Sequence, residues 1–385
     1  MRYVVELRFK KDNHTEFDSA FLEVISKVNN EENVKFICDN KYWKLIEDRF
    51  KKSKVIHSHI NIKHVGGNFI NLLVKELFDI INIIKVIKNS YKDKVEEIYF
   101  TCLSPISTIL LKKITHLINK KIFVVHHSEL EGINEKNKIY QLKYWSKYAI
   151  KINTPQNFKH ILLGESIYFN LKQKINVNRE SFIVINHPYF FYEYENYKYK
   201  KNFDLIKMGG IGAAFISKNS HMIFLLADSL KKEIESNRIE FEHIGKIHDE
   251  IKEYTNAYVK YDQNQVTIER KKFEEKIEEL DYTLYFYDKS MYKLTPSGAL
   301  FDAINFEKPI IALKNDFFKY YFEKMGNIGY LCDDIEEMKT VVMSLIKKKN
   351  INEYELQVMN LKRAKKALSI STIKNELKNQ LNFNK

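Results

Sequence analysis

Short runs of β-branched and aromatic residues alternate with longer amphipathic stretches along most of the chain. Strand-length apolar runs fall at 3–7, 34–38, 55–57, 97–102, 121–126, 149–153 and 182–185. Helix-period stretches lie between them at 17–28, 69–88, 106–118, 138–147 and 155–163. The tyrosine-rich stretch after Asn186-His187-Pro188-Tyr189 breaks the rhythm. It restarts with strands at 204–208, 240–244, 257–261, 282–287, 309–313 and 329–332, and with helices at 220–236, 265–280, 299–306, 316–324 and 335–348. Parallel strands need long crossovers, so this alternation predicts an α/β fold built on parallel sheets. A chain of 385 residues exceeds one core. Domains are expected at 1–187 and 203–350, with a linker at 188–202 and a helical tail at 351–385 that packs back on the first domain.

Ligands of open α/β sheets bind beyond the carboxyl ends of the strands. Two such domains are expected to gather those ends around a shared cleft, so the post-strand loops are where chemistry is sought. In the second domain, Gly209-Gly210-Ile211-Gly212 follows a strand, with Lys218 soon after. The glycines would let the backbone approach a pyrophosphate, but the spacing is not the six-position dinucleotide fingerprint. His243-Ile244-Gly245-Lys246 ends the next strand. Thr295-Pro296-Ser297-Gly298 opens a helix whose first N–H groups lack helical partners and whose dipole favours an anion. Asp302 lies one turn deeper, where its carboxylate can accept from sugar hydroxyls. A plain turn or helix cap is the competing reading for each loop taken alone.

The first domain adds Asp12-Asn13-His14-Thr15-Glu16 after its first strand. His126-His127-Ser128-Glu129 follows a later strand and is expected to face the cleft, with a structural histidine as the alternative. His57-Ser58-His59 lacks the further ligands a metal requires. No Gly-x-Ser-x-Gly, P-loop or kinase motif is present, which excludes those hydrolase and NTPase classes.

Composition sharpens the picture in two places. The three cysteines are widely separated, which suits a reducing compartment and offers no zinc framework. The start of the chain reads as a strand and not as a signal peptide, and no apolar run is of membrane-spanning length. The expectation is a cytoplasmic protein, or one peripheral to the inner face of the cell membrane. Residues 1–200 carry 33 Lys+Arg against 22 Asp+Glu, most of the chain's net charge of +13. The positive field thus belongs to the first half and suits an anionic acceptor or membrane surface. The amphipathic stretch around 72–88, with Lys75, Lys85 and Lys88, is the surface candidate, and a core helix with solvated lysines is its alternative. Nucleic acid is not expected, because no recognition module accompanies the charge.

The order of motifs resembles GT-B fold glycosyltransferases of bacterial capsular and lipopolysaccharide biosynthesis. S-G-A-L-F-D-A-I-N-F-E-K-P-I-I-A resembles their donor-binding loop and helix, and F-F-K-Y-Y-F-E and G-Y-L-C-D-D-I-E-E-M resemble the usual closing pattern of that group. V-V-H-H-S-E-L-E, N-H-P-Y and H-I-G-K resemble segments of the first domain, the region before the linker and a second-domain strand end. The resemblance implies two Rossmann-like domains facing a central cleft. It implies metal-independent transfer of a hexose-type sugar from a nucleotide-sugar donor, as substrate, to a saccharide or lipid-linked saccharide acceptor, with no cofactor. Ser297 and Gly298 match the amides that hold the donor diphosphate, beside Thr295. Asp302 matches the second acid of a Glu-x7-Glu motif, the ribose ligand, and the first acid falls on Leu294. Lys218 resembles the phosphate-neutralising base, with Gly210, Gly245 and Lys246 nearby in the donor region. His126 resembles a histidine that contacts the transferred sugar. His14, Glu16 and Glu129 are the candidates to deprotonate an acceptor hydroxyl. A catalytically silent GT-B partner subunit or a GT-B fold epimerase is the alternative.

Overall fold

A computed structural model describes residues 1–10, 14–28, 33–63, 69–134, 139–192, 204–263, 268–348 and 350–382. Asp12 and Asn13, and parts of the expected helices at 138–147 and 265–280, of the linker and of the tail, lie outside the described residues. The chain divides into two compact units: Met1–Phe190 with Leu294–Pro296 and Leu368–Lys385, and Phe191–Lys293 with Ser297–Ala367.

The first unit holds a seven-stranded sheet: β1 (Arg2–Glu6), β2 (Val34–Cys38), β3 (Val55–His59), β4 (Glu97–Cys102), β5 (Lys121–Val125), β6 (Phe158–Leu162) and β7 (Phe182–Val184). Its order is β3-β2-β1-β4-β5-β6-β7, and every pairing is parallel. Side chains alternate between the faces of a strand. Val4, Phe36, Tyr99 and Phe123 accordingly enter one core, and Tyr3, Val5, Ile98 and Phe100 the other. Burial on both faces explains why these strands read as nearly continuous apolar runs. The last helix, Ile370–Asn382, packs on the first, Thr15–Val28, placing Ile373 and Leu377 in the first of these cores. It also closes the sheet edge: the Gln380 side-chain amide accepts from the Val184 N–H at 2.9 Å and donates to its carbonyl at 2.6 Å. Such an edge would otherwise offer unpaired backbone to other chains.

The second unit holds β8 (Ile206–Ile211), β9 (Ile239–Ile244), β10 (Val259–Tyr261), β11 (Tyr282–Tyr285), β12 (Ile310–Leu313) and β13 (Gly329–Cys332). They pair in parallel in the order β10-β9-β8-β11-β12-β13. The helix Ile351–Ala367 stays with this unit, burying Tyr354 and Val358 in its core. The tail is therefore two helices serving two units. Two Rossmann-like parallel-sheet domains of this kind constitute the GT-B fold.

Four expected elements change. Residues 149–153, read as a strand, end the helix Ser146–Lys151, and 155–163, read as a helix, hold β6. A five-residue apolar run carries no decisive period, and tertiary groups decide here. The buried Lys112 amine donates to the carbonyls of Ala149, Ile150 and Ile152 and so caps the helix end. The Asn157 amide, donating to Thr115, Ile118 and Lys120, steers the chain into β6. The helix expected at 220–236 is two, Met222–Ser229 and Lys231–Glu235, parted at Leu230. Finally, β8 runs through Gly209 and Gly210, which were expected in a loop.

Candidate active site

In the first unit, five histidines gather: His14, His126, His127 and His187 beyond the carboxyl ends of β1, β5 and β7, and His160 within β6. His14, just before the first helix, has φ +69°, a left-handed conformation that a non-glycine residue adopts at a cost. Its ring stacks on Phe9 at 4.2 Å and lies 4.5 Å from the His127 ring. The buried His14 Nδ1 has no hydrogen-bond partner among the described residues. His127 Nε2 lies 2.9 Å from the Thr101 carbonyl, which can only accept, so Nε2 carries the proton and Nδ1 a lone pair. His187 completes the group, with its ring 5.2 Å from Phe17. Burial lowers all three: His14 to about 4, His187 to about 3, and His127 well below its ordinary value. At neutral pH these are uncharged imidazoles, suited to hydrogen-bonding sugar hydroxyls.

Glu16, a candidate alongside His14, is engaged by an arginine. Both of its oxygens accept from the Arg49 guanidinium, at 3.1 and 2.6 Å. His126 also departs from its expected open strand end: its ring is buried, and both nitrogens are used within the unit. Nδ1 meets Glu129 at 2.9 Å and Nε2 meets His160 Nδ1 at 2.6 Å. Pairing of β5 with β6 brings His160 there. Glu129 also accepts from the His127 N–H with both oxygens, at 3.1 and 3.0 Å. Beside this group, the buried carboxyl of Glu6 accepts from the Phe9 N–H at 3.0 Å and the Thr101 hydroxyl at 2.7 Å, and burial pushes it up to about 7.

Leu294, where the resemblance expected an acid, is an anchor of the first unit. Its side chain is buried in that unit's core, and its N–H donates to Glu131 at 2.6 Å. The position is apolar because it packs.

In the second unit, Gly210 within β8 and Gly245 after β9 serve close packing. A Cβ on Gly210 would lie 3.0 Å from His243 Nδ1, and one on Gly245 (φ +144°) would lie 2.1 Å from the Gly212 carbonyl oxygen. His243, lowered by burial to about 4, reaches that same carbonyl with Nε2 at 3.0 Å. Lys218 is largely enclosed, with its amine 3.3 Å from the Ala213 carbonyl, and burial lowers its pKa. With Gly210, His243, Ser220 and Tyr287 it lines a cavity of about 20 Å³. Lys246 is exposed, and Thr295 half-buried.

The helix Gly298–Asn305 begins at Ser297, whose side chain caps none of the first-turn N–H groups and instead meets the Tyr287 hydroxyl at 3.3 Å. Nothing lies within 4 Å of where a Cβ on Gly298 would stand. The first turn therefore combines uncapped amides, the positive end of a dipole and open space, which is what an anion requires. Asp302, one turn on, meets Arg270 at 2.9 Å.

Sequence reasoning missed His160, His187 and Arg270 as members of these clusters. His187 lay within the N-H-P-Y segment, a usable signal. His160 sat in a segment read as helix, and nothing local marks Arg270. Among the described residues, no three His, Cys, Asp or Glu side chains gather as a metal-binding group.

No protein-family profile and no curated protein sequence matches the chain. Solved structures do. The chain is similar to HepE of Anabaena in complex with UDP-glucose, at 12% identity over 100% of both chains with a TM-score of 0.68. It is similar to WaaG, a glycosyltransferase involved in lipopolysaccharide biosynthesis, at 11% identity over 98% of this chain and 99% of that one, TM-score 0.63. It is also similar to S. aureus TarM with fondaparinux, α-GlcNAc-glycerol and UDP, at 16% identity over 80% of this chain and 59% of that one, TM-score 0.58. The likeness is one of fold, and the fold is GT-B.

Proposed function

We propose that the chain is a glycosyltransferase, moving a hexose-type sugar from a nucleoside-diphosphate sugar to a saccharide acceptor, lipid-linked, in cell-surface polysaccharide synthesis. The observation that carries this is the uncapped, open helix start at Ser297–Gly298 on a GT-B fold. HepE binds UDP-glucose, and TarM binds UDP beside saccharides, on this same architecture. As the glycosidic bond of the donor breaks, negative charge grows on the departing diphosphate. Amides already pointing at it, with Lys218 in the same unit, stabilise that charge without reorganising. They take the role a divalent cation would otherwise fill, so the reaction is read as metal-independent. The neutral His14, His127 and His187 supply hydrogen bonds to sugar hydroxyls, and Glu129 holds the first unit's loop in place.

One observation favours a second reading, binding without turnover: Leu294 replaces the acid that would engage the donor sugar. Incubating the protein with a panel of nucleotide sugars and saccharide acceptors, with and without EDTA, separates the two. Release of nucleoside diphosphate that depends on acceptor and withstands EDTA is expected. Tight donor binding with no release across the panel would sink the transferase reading in favour of a silent partner.

A further inference from the structure

The helix Phe69–Lys92 buries Ile83, Val86 and Ile87 in the usual way, but its first half is turned inside out. Its polar residues Lys75, Glu76, Asp79 and Asn82 are buried, while Ile70, Leu73, Leu77, Ile81 and Ile84 stand in solvent at steps of three and four. Ile70 is 71% exposed and Leu77 61%. Polar partners meet the inward face. Glu76 accepts from the Ser104 and Ser107 hydroxyls, Asp79 meets Lys75 at 3.1 Å and Arg8 at 3.4 Å, and Asn82 donates to the Asn61 carbonyl at 2.9 Å. Rotating the helix to hide its apolar stripe would break the contacts of Glu76, Asp79 and Asn82 with Ser104, Ser107, Arg8 and Asn61. The stripe is held outward by polar anchors, and a contiguous apolar surface of this kind marks an interaction site.

Charge decides what covers it. Lys85, Lys88 and Lys92 are exposed along the same helix, and the Lys63 amine sits over the Phe78 ring at 4.4 Å. The helix's only acids before Asp93 are Glu76 and Asp79, both buried. A second copy of the chain on this face would set lysines against lysines with no carboxylate between them. An apolar and cationic surface instead matches an anionic lipid leaflet, acyl chains below and phosphates above. No helix among the described residues is long and apolar enough to cross a membrane, so this one would lie on it.

A second observation points the same way. Beside the basic end of the helix, a polar cavity of about 320 Å³ opens against β1, β2 and β3, lined by Lys35, His59, Asn61, Lys85, Asn89 and Lys92 among others. Ile37, Ile60, Val86 and the Asp93 carboxylate, which pairs with Lys35, also line it, and the amines of Lys85 and Lys92 with the amides of Asn61 and Asn89 suit a phosphate headgroup. We propose that the helix Phe69–Lys92 lies in an anionic leaflet with Ile70–Ile84 among the acyl chains, and that the adjoining cavity seats a lipid phosphate.

The test uses the full chain and co-sedimentation with vesicles of phosphatidylcholine alone or mixed with phosphatidylglycerol. Binding to the mixed vesicles and not to phosphatidylcholine alone is expected. Leu77→Ser with Ile81→Ser, and separately Lys85→Glu with Lys92→Glu, should each weaken it by about tenfold or more with thermal unfolding unchanged. Absence of binding to the mixed vesicles overturns the proposal, and equal binding to both kinds overturns the headgroup site. A dimer that Leu77→Ser/Ile81→Ser converts to monomer, with vesicle binding unchanged, assigns the face to a second copy. Binding of inorganic phosphate that both charge reversals abolish, without vesicle binding, would make it a free-anion site. Nucleoside diphosphate release without vesicles is followed alongside and should not change, so the membrane proposal can fail while the transferase reading stands.

Discussion

His160 Nδ1 lies 2.6 Å from His126 Nε2, and only one of these nitrogens can carry the shared proton. The carboxylate of Glu129 accepts from His126 Nδ1, which leaves His126 Nε2 as the acceptor and His160 Nδ1 as the donor. His160 Nε2 is then a bare lone pair, buried and without a partner among the described residues. Burial first, then the neighbouring Lys112 and His126, hold His160 far below its ordinary range, consistent with a neutral ring. His160→Phe would keep the aromatic contacts with Phe158 and Phe182 but remove the donor. Leaving His126 Nε2 unmet should cost about 1–3 kcal/mol in urea unfolding. An unchanged midpoint would mean that the chain of three groups contributes nothing.

Leu294 tests whether the missing acid is a loss or a replacement. Its side chain is 1% exposed in the first unit's core. Leu294→Ala should destabilise that unit by about 2–5 kcal/mol through the lost methyl groups and the cavity left behind. Leu294→Glu would bury a carboxylate and should do at least as much harm, with no gain in nucleoside diphosphate release. Faster release from Leu294→Glu, in a protein that unfolds normally, would show that the position is a vacant catalytic one.

Two glycines separate structural from ligand-binding roles. Gly245→Ala would drive a Cβ to 2.1 Å from backbone, at a φ of +144°, and should destabilise the second unit by about 1–3 kcal/mol or more. Gly298→Ala meets nothing within 4 Å and should leave unfolding within about 0.5 kcal/mol of the parent. If a diphosphate rests on that helix start, the added methyl should nonetheless raise KM for the donor by about tenfold. Unchanged KM would move the phosphates elsewhere.

The alternation of strands and helices, and with it both parallel sheets, was legible because strands buried on two faces must be apolar and their crossovers must be amphipathic. Helix starts were legible for the same local reason: Thr295-Pro296-Ser297-Gly298 does open a helix. What could not be read were choices made by distant partners. Residues 149–163 exchange helix and strand because Lys112 reaches the carbonyls of Ala149, Ile150 and Ile152, and Asn157 reaches out to those of Thr115, Ile118 and Lys120. The arginines that hold Glu16 and Asp302, Arg49 and Arg270, likewise come from distant parts of the chain. The outward stripe of Phe69–Lys92 has the period of a core helix, and only the partners of Glu76 and Asp79 on other elements, Ser107 and Arg8, fix which side faces in.

The buried histidines set the acid sensitivity of the first unit. Folding lowers His187 from 6.5 to about 3, chiefly by desolvation and then through His14, so the unfolded chain takes up a proton near pH 6.5 that the folded chain refuses. The stability tied to His187 is thus fully present above pH 6.5 and is lost as pH falls towards about 3. His14, His127 and His160 act in the same direction. Glu6, raised to about 7, and Asp18, raised well above its ordinary value, act oppositely, since their folded forms take protons first. His187→Phe isolates one proton from this balance and leaves the others in place. Its stability relative to the parent should grow by about 1.4 kcal/mol for each pH unit below 6.5, measured by urea unfolding down to about pH 4. A pH-independent difference would mean that His187 is protonated in the folded protein.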